Sequence, residues 1–301
     1  MDAWTCHQYV LPLPAGHSFP MAKYALLHER VAANAARWGV RLREPPPASD
    51  ADLLRVHDPD YVSRMTTGAV TAEDMRRIGF PWSPQMVERS RRSSGGTTMA
   101  LRSALRDGVA VNLAGGTHHA AHARGGGYCV FNDSVVAARH AQAAGWLRRV
   151  LVVDLDVHQG NGTAQLCAGD ESIFTFSMHS ARNYPAVKPP SDLDVALPSG
   201  CDDAGYLDAL AANLPVAIAR GRPDAVLYLA GADPFHGDRL GLLALTKAGL
   251  AERDRQVLAA CRKAGIPVSI AMAGGYAPQV GDIVDIHAMT VQLAASAAAS
   301  H

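Results

Sequence analysis

The sequence predicts an α/β fold: a central, mainly parallel sheet with helices on both faces. Three observations carry this. Apolar runs alternate with segments of helical periodicity from about residue 109 onward, the pattern of repeated strand–helix–strand units. The runs VAVNLAGG, VLVVDLDVH, ESIFTFSMH, DAVLYLAGAD and IPVSIAMAGGY are short and continuous, as strands buried on both faces are. Each run also ends in side chains fit for chemistry: Thr117-His118-His119, the Asp154/Asp156/His158 cluster, His179, Asp233 and Tyr276. In open parallel sheets the ligand crevice lies beyond the carboxyl ends of the strands, where these termini would converge.

Before that region the chain reads as a mixed frame. Residues 1 to 20 suggest a short strand and a loop, since Gly16, His17 and Pro20 interrupt any helix. MAKYALLHERVAANAARWG (21 to 39) has helical periodicity and stops at Gly39. The prolines at 45 to 47 mark a turn, Ser49 or Asp50 caps a short helix, and Pro59 opens another. Residues 67 to 84 read as a surface loop with a short helix, broken by Gly68, Gly79, Pro81 and Pro84. SPQMVERSRRSSGGTTMALRSALRDG predicts one or two helices, with Gly95-Gly96 a point of close packing. Further helices are expected around 133 to 145, 161 to 168, 203 to 220 and 246 to 264, and the Ala-rich LAASAAAS reads as a closing helix or frayed tail.

Composition narrows the function classes. The 301 residues are 48% hydrophobic, enough for a sizeable core, and no shift in composition divides them, so one domain over 1–301 is expected. Lys+Arg and Asp+Glu both number 28, so no basic excess points to nucleic acid and no acidic tail to a polycation. The cysteines, Cys6, Cys129, Cys167, Cys201 and Cys261, are odd in number and scattered without CxxC. That argues for a reducing compartment and against a disulfide framework or a thiolate zinc site. No run of 18 apolar residues could span a bilayer, and MDAWTCHQYV lacks a signal peptide pattern, so a cytoplasmic location away from membranes is expected.

The chemistry gathers around VLVVDLDVHQGNGT (150 to 163). Side chains two apart on an extended chain point the same way, so Asp154, Asp156 and His158 share one side at the end of a buried strand. Carboxylates and an imidazole held together there need compensation. A divalent cation supplies it, and a hydrogen-bonded structural cluster is the plainer alternative. Asp233 is the best further ligand, although an Asp before Pro234 also suits a helix N-cap. Three protein ligands with an open position suit a catalytic metal, and this oxygen-rich set accepts Zn²⁺ or Fe²⁺. The adjacent His118 and His119 follow Gly115-Gly116; imidazole titrates near neutral pH and can serve as base and acid. Asp154 could orient one imidazole and Asn161 accept from the other. Tyr276, after Gly274-Gly275, is either an oxyanion donor or an ordinary packed tyrosine. The glycines at 125 to 127 before Tyr128 read as a plain loop or as the lining of a narrow passage.

Taken together, GGTHHA (115 to 120), GGYCVFND (126 to 133), VVDLDVHQGNGT (152 to 163), GADPFHGDRLG (231 to 241) and AGGY (273 to 276) resemble the zinc-dependent histone deacetylase family in content and order. GHSFPMAKYALL and MHSARNYP with SDLDVALP look closest to its class IV branch and bacterial relatives. The resemblance implies an arginase/deacetylase fold whose sheet has about eight strands, consistent with the alternation above. It implies Asp156, His158 and Asp233 as metal ligands, His119 as general base and acid, His118 with Asp154 as its electrostatic partner, and Tyr276 as the carbonyl-polarising phenol. It implies Tyr128, Tyr184 and Leu240 as walls of a substrate tunnel, with Gly127 offering its carbonyl. It further implies a structural K⁺ or Na⁺ held by Asp154, the carbonyls of Asp156 and His158, Ser177 and the carbonyl of Met178. Asn161 stands where class I members carry Asp, which lowers the basicity of His119 relative to theirs.

The expected activity is metal-dependent removal of an acyl group, acetyl or longer, from an Nε-acyl-lysine of a protein or peptide. The chief rival is an acetylpolyamine or other small acyl-amine hydrolase. A silent acyl-lysine reader or scaffold is the alternative of another class, and it predicts a lost ligand or phenol where none is lost. A two-metal ureohydrolase needs further carboxylates, and Asn161 stands where one would help.

Overall fold

Strands that must be buried on both faces have to pair with one another, and here they do so throughout. In a computed structural model describing residues 1–299, the strands β1 (Asp2–Trp4), β2 (Arg41–Arg43), β3 (Val109–Asn112), β4 (Val150–Asp154), β5 (Ile173–Ser180), β6 (Leu193–Leu197), β7 (Ala225–Leu229) and β8 (Val268–Ala271) form one 8-stranded sheet. Its order is β2-β1-β3-β8-β7-β4-β5-β6 and every pairing is parallel. The central β3, β4, β7 and β8 are buried at every residue, as their apolar runs require.

The sheet edges were not legible as apolar runs. β2 is exposed at both arginines, and β6 alternates inward and outward residues as LDVAL. An edge strand buries only part of its surface, so it carries no continuous hydrophobic stretch.

The helices are α1 (Lys23–Trp38), α2 (Asp50–Leu53), α3 (Pro59–Thr67), α4 (Ala72–Ile78), α5 (Pro84–Asp107), α6 (Asp133–Ala143), α7 (Asn161–Leu166), α8 (Asp203–Gly221), α9 (Lys247–Ala264) and α10 (Val280–Ala298). Local chemistry sets their ends. Gly39 terminates α1 in the left-handed region at φ 66. Ser49 and Asp52 form a capping box on α2, and Thr71 and Asp74 another on α4. Helix α5 runs unbroken through Gly95-Gly96 because both residues are packing points. A Cβ on Gly95 would lie 1.9 Å from the Pro46 carbonyl oxygen, and one on Gly96 2.8 Å from Asn112 Oδ1. The Ala-rich C-terminal segment extends α10 rather than fraying before Ala298.

The 67 to 84 segment contains the expected short helix, α4, and is mostly exposed or half-buried, but the end of that helix turns inward. Ile78 and Phe80 are buried with Met65, Met86 and Phe131 in the core on one face of the sheet. Glycines and prolines punctuate the chain there without lifting it off the protein. This inward position matters, because the end of α4 supports one wall of the site.

Candidate active site

The site lies beyond the carboxyl ends of β3, β4, β7 and β8. Strand β4 ends at Asp154, yet its alternation continues through the bends that follow. Leu155 and Val157 are fully buried in the core, which leaves Asp154, Asp156 and His158 together on the other side. Backbone amides lock the turn: Asp156 donates to Asp154 Oδ1 at 3.2 Å, and His158 to Asp156 Oδ1 at 2.9 Å. Asp233, from the segment after β7, accepts from the Val157 amide through Oδ1 at 3.0 Å. It caps no helix, since α9 begins only at Lys247.

One ligand atom each from Asp156, His158 and Asp233 can be chosen so that all lie within 4.8 Å of one another. His158 Nδ1 faces both carboxylates, 2.9 Å from Asp156 Oδ1 and 3.3 Å from Asp233 Oδ2. The residues fit a divalent cation on two grounds besides distance. Asp233 Oδ2 is buried with no well-formed hydrogen bond, its nearest donor being His158 Nδ1 at 3.3 Å, an arrangement that costs free energy unless positive charge meets it. Gly274 backs the cluster with its amide on Asp156 Oδ2 at 2.8 Å, and a Cβ there would lie 1.9 Å from Asp233 Oδ2 and 2.5 Å from Asp156 Oδ2. The electrostatics agree. Burial and the neighbouring Asp156 charge push the Asp233 carboxyl up to about 7. Burial opposes a charge on His158, but the Asp156 and Asp233 carboxylates overcome it and raise the imidazole to about 10. The cluster therefore draws in positive charge, as a proton when no metal competes for it.

His118 and His119 follow β3 on a loop organised by Asp133, a buried residue at the start of α6. Its carboxylate accepts from the Gly116 and Thr117 amides at 2.9 and 2.7 Å. The two imidazoles, 4.1 Å apart between ring centres, have different partners. His118 Nδ1 donates to Asp154 Oδ2 at 2.7 Å, and His119 Nδ1 donates to Asn161 Oδ1 at 2.6 Å. Burial disfavours charge on both. For His118 the Asp154 and Asp156 carboxylates overcome it and lift the imidazole to about 9. For His119 the cationic His118 and His158 reinforce burial, and it is held well below the ordinary histidine value. A charged imidazole thus sits beside a neutral one whose Nε2 is left as an acceptor.

Tyr276 is fixed by its amide, which donates to Asp238 Oδ2 at 2.6 Å. Burial and the Asp156 and Asp233 charges keep its phenol far above the usual range, so it stays a proton donor. Aromatic rings enclose the site. Tyr128 lies 5.7 Å from Tyr276, Tyr276 6.4 Å from His158, His158 5.8 Å from His119, and His119 4.8 Å from Tyr184. Gly127 adjoins His119 so closely that a Cβ would meet its Cδ2 at 2.5 Å. Leu240 is partly exposed, and its carbonyl accepts from Asn183 at 2.6 Å, which ties it to the Tyr184 loop. Ser177 is the register partner of Asp154 across β4 and β5, and Met178 follows it in the core. His179 does not join the group; it is buried within β5, with Nδ1 2.9 Å from Ser177 Oγ.

Three supporting residues escaped the sequence reading: Asp133, Asp238 and Lys23. The first two lie inside GGYCVFND and GADPFHGDRLG, where their motifs offered a signal. Lys23 begins α1, is almost wholly buried, donates to the Gly275 carbonyl at 3.1 Å, and stands 5.2 Å from the Tyr276 ring centre. A lysine at a helix start gives no hint of this.

The histone deacetylase domain family model matches residues 17–291. The chain belongs to the histone deacetylase family. This family member is 45% identical over 281 residues to an uncharacterized protein of Picosynechococcus sp., covering 93% of this chain and 94% of that one. It is 31% identical over 269 residues to histone deacetylase 2 of Arabidopsis thaliana, covering 86% of this chain and 70% of that one. Among solved structures, a histone deacetylase homologue from Aquifex aeolicus superposes with a TM-score of 0.83 at 22% identity, over 98% of this chain and 84% of that one. The HDA15 HD domain superposes at 0.82 with 21% identity, over 98% and 90%. These structures share the arginase/deacetylase fold. Family membership makes this histone deacetylase relative a deacetylase-type hydrolase of acyl amides, in a family that is generally metal-dependent. Among the described residues no helix is long and apolar enough to cross a membrane.

Proposed function

We propose that the protein is a zinc-dependent deacylase that hydrolyses an Nε-acyl-lysine, with 1–301 acting as one catalytic domain. The observation that carries this reading is the meeting of a three-ligand cluster with a neutral, acceptor-ready His119. Asp156, His158 and Asp233 would hold Zn²⁺, or Fe²⁺, and the metal when bound supplies Lewis acidity to the amide carbonyl and the attacking water.

The remaining work falls to the chain's own residues. Asn161 fixes the His119 tautomer, so Nε2 takes the proton from water as its oxygen bonds to the acyl carbon. His118, kept cationic by Asp154, holds His119 neutral until that moment. Tyr276 donates its phenolic proton in a hydrogen bond to the oxygen that gains charge. As the carbon–nitrogen bond breaks, His119 passes its proton to the leaving amine, so a carboxylic acid and an amine form, and the acid's remaining proton passes to the amine or to solvent as they depart. Gly127, Tyr128, Tyr184 and Leu240 would line the path of the acylated side chain. Asp154, Ser177 and the carbonyls of Asp156, His158 and Met178 would hold a structural K⁺ or Na⁺.

The test is turnover of a panel of acyl-lysine peptides and acylpolyamines, acetyl to myristoyl, by metal-reconstituted protein. Hydrolysis of a lysine peptide that collapses in Tyr276→Phe is the expected result. Turnover of polyamines alone would reassign the substrate.

A further inference from the structure

Beside the catalytic group lies a cavity of about 380 Å³ whose lining includes His119, Asn161 and Tyr184 together with Arg77 and Arg124. No carboxylate lines it, and these two guanidinium groups are its formal charges at neutral pH. The chain as a whole has zero net charge, so the local excess does not follow from composition.

The two arginines are held differently. Arg77 lies in the last turn of α4, and its carbonyl accepts from the Gly127 amide at 3.0 Å, which ties it to the loop beside His119. Its side chain pairs with Glu73 one turn earlier, which partly offsets its charge and is not itself among the lining residues. Among the described residues the Arg124 guanidinium has only a 3.5 Å contact with the neutral Gln165 amide and no carboxylate partner. Both guanidiniums influence the Tyr184 phenol, opposing the effect of burial there. A cavity with low-dielectric walls and charge of one sign raises the local concentration of ligands of the opposite sign.

We propose that Arg77 and Arg124 select substrates carrying a carboxylate on the amine side of the scissile amide. The carboxylate comes either from acidic residues flanking an acyl-lysine or from the free carboxylate of an acylated amino acid. The acyl group points toward the Asp156/His158/Asp233 cluster, so the amine side is what reaches this outer cavity. A planar guanidinium suits a carboxylate with two donors. The same charge disfavours polycationic acyl amines. This inference rests on the deacylase reading above.

The experiment compares acetyl-lysine peptides with Glu, Gln or Lys at both flanking positions, plus free Nε-acetyl-lysine and its amide. Expected is a kcat/KM for the Glu peptide about 5- to 10-fold above the Gln peptide at low salt, reversed for Lys, and shrinking as salt is added. Arg77→Gln/Arg124→Gln and the charge-reversing single change Arg124→Glu at an exposed position should bring the Glu/Gln ratio to about one or below. Preference for free acetyl-lysine over its amide, without a flank effect, would assign the small-molecule source. A Glu/Gln ratio near one together with equal turnover of free acetyl-lysine and its amide, or a carboxylate preference unmoved by both variants, overturns the proposal. The same peptides are titrated calorimetrically into Tyr276→Phe protein. Charge-selective binding, with no turnover of any substrate by the unaltered metal-reconstituted protein, would sink the deacylase reading and leave the carboxylate preference standing; binding without charge selection would sink the preference.

Discussion

His119 Nδ1 is bonded to the neutral amide oxygen of Asn161 at 2.6 Å, while its neighbour His118 has a carboxylate at 2.7 Å. The base of the pair therefore has a partner that orients it without adding charge. Replacing Asn161 by Asp keeps the geometry and adds a negative charge beside the imidazole. A nearby carboxylate favours the imidazolium, so the His119 value rises. The base form is then lost earlier as pH falls, and the acid limb of the kcat/KM profile should move up by about one pH unit or more. An unmoved limb would mean that the limb reports another group. Asn161→Ala removes the acceptor and should lower kcat/KM at every pH.

Tyr276→Phe deletes one hydroxyl at a residue whose backbone is fixed independently by Asp238. Loss of a single oxyanion donor costs about 10²- to 10³-fold in kcat, with little effect on ground-state binding. Metal content by elemental analysis should stay at that of the unaltered protein, since the phenol is not among the clustered ligand atoms. A fall in metal content would place the defect in the cluster.

The pattern of what was legible follows from physics. β3, β4, β7 and β8 announced themselves because a strand buried on both faces must be apolar throughout. The site announced itself because its ligands sit two apart on a chain whose alternation outlasts the strand, at Asp154, Asp156 and His158. Edge strands β2 and β6 stayed hidden because partial burial tolerates polar residues. Lys23 and Asp238 act on Tyr276 from positions far along the chain, and such pairings depend on the completed fold. The rim arginines were invisible for the same reason: a neutral total charge says nothing about where charges gather.

Gly274 has no room for a side chain. Its added Cβ would press on oxygens of both Asp233 and Asp156 while its amide holds Asp156 Oδ2. Gly274→Ala should therefore displace the carboxylates and weaken metal binding at least about tenfold, in line with the cost of disturbing groups that orient metal ligands. Calorimetric titration of chelator-stripped protein with Zn²⁺ checks this directly. Circular dichroism of the variant should remain that of the folded protein, because the change is confined to the site; affinity equal to that of the unaltered protein would contradict the cradle.

Far from the site, Asp2 anchors β1. Its almost fully buried carboxylate accepts from Arg41 and Arg106 at 2.8 Å, from Arg43 at 3.3 Å and from Ser103 at 3.1 Å. Burial alone would raise its acidity constant's pKa, but the Arg106, Arg41 and Arg43 hydrogen bonds outweigh it and hold the group well below the usual carboxylate range. A depressed folded value means the stabilisation is complete above the unfolded value of about 4 and fades as pH falls below it. The arginine side chains are half-exposed, which screens the pairs, so Asp2→Asn should cost about 1–2 kcal/mol near neutral pH. Urea unfolding of both proteins at several pH values measures it. The gap between them should narrow steadily from about pH 4 downward, and a gap independent of pH would show that Asp2 acts through shape and hydrogen-bond geometry rather than through its charge.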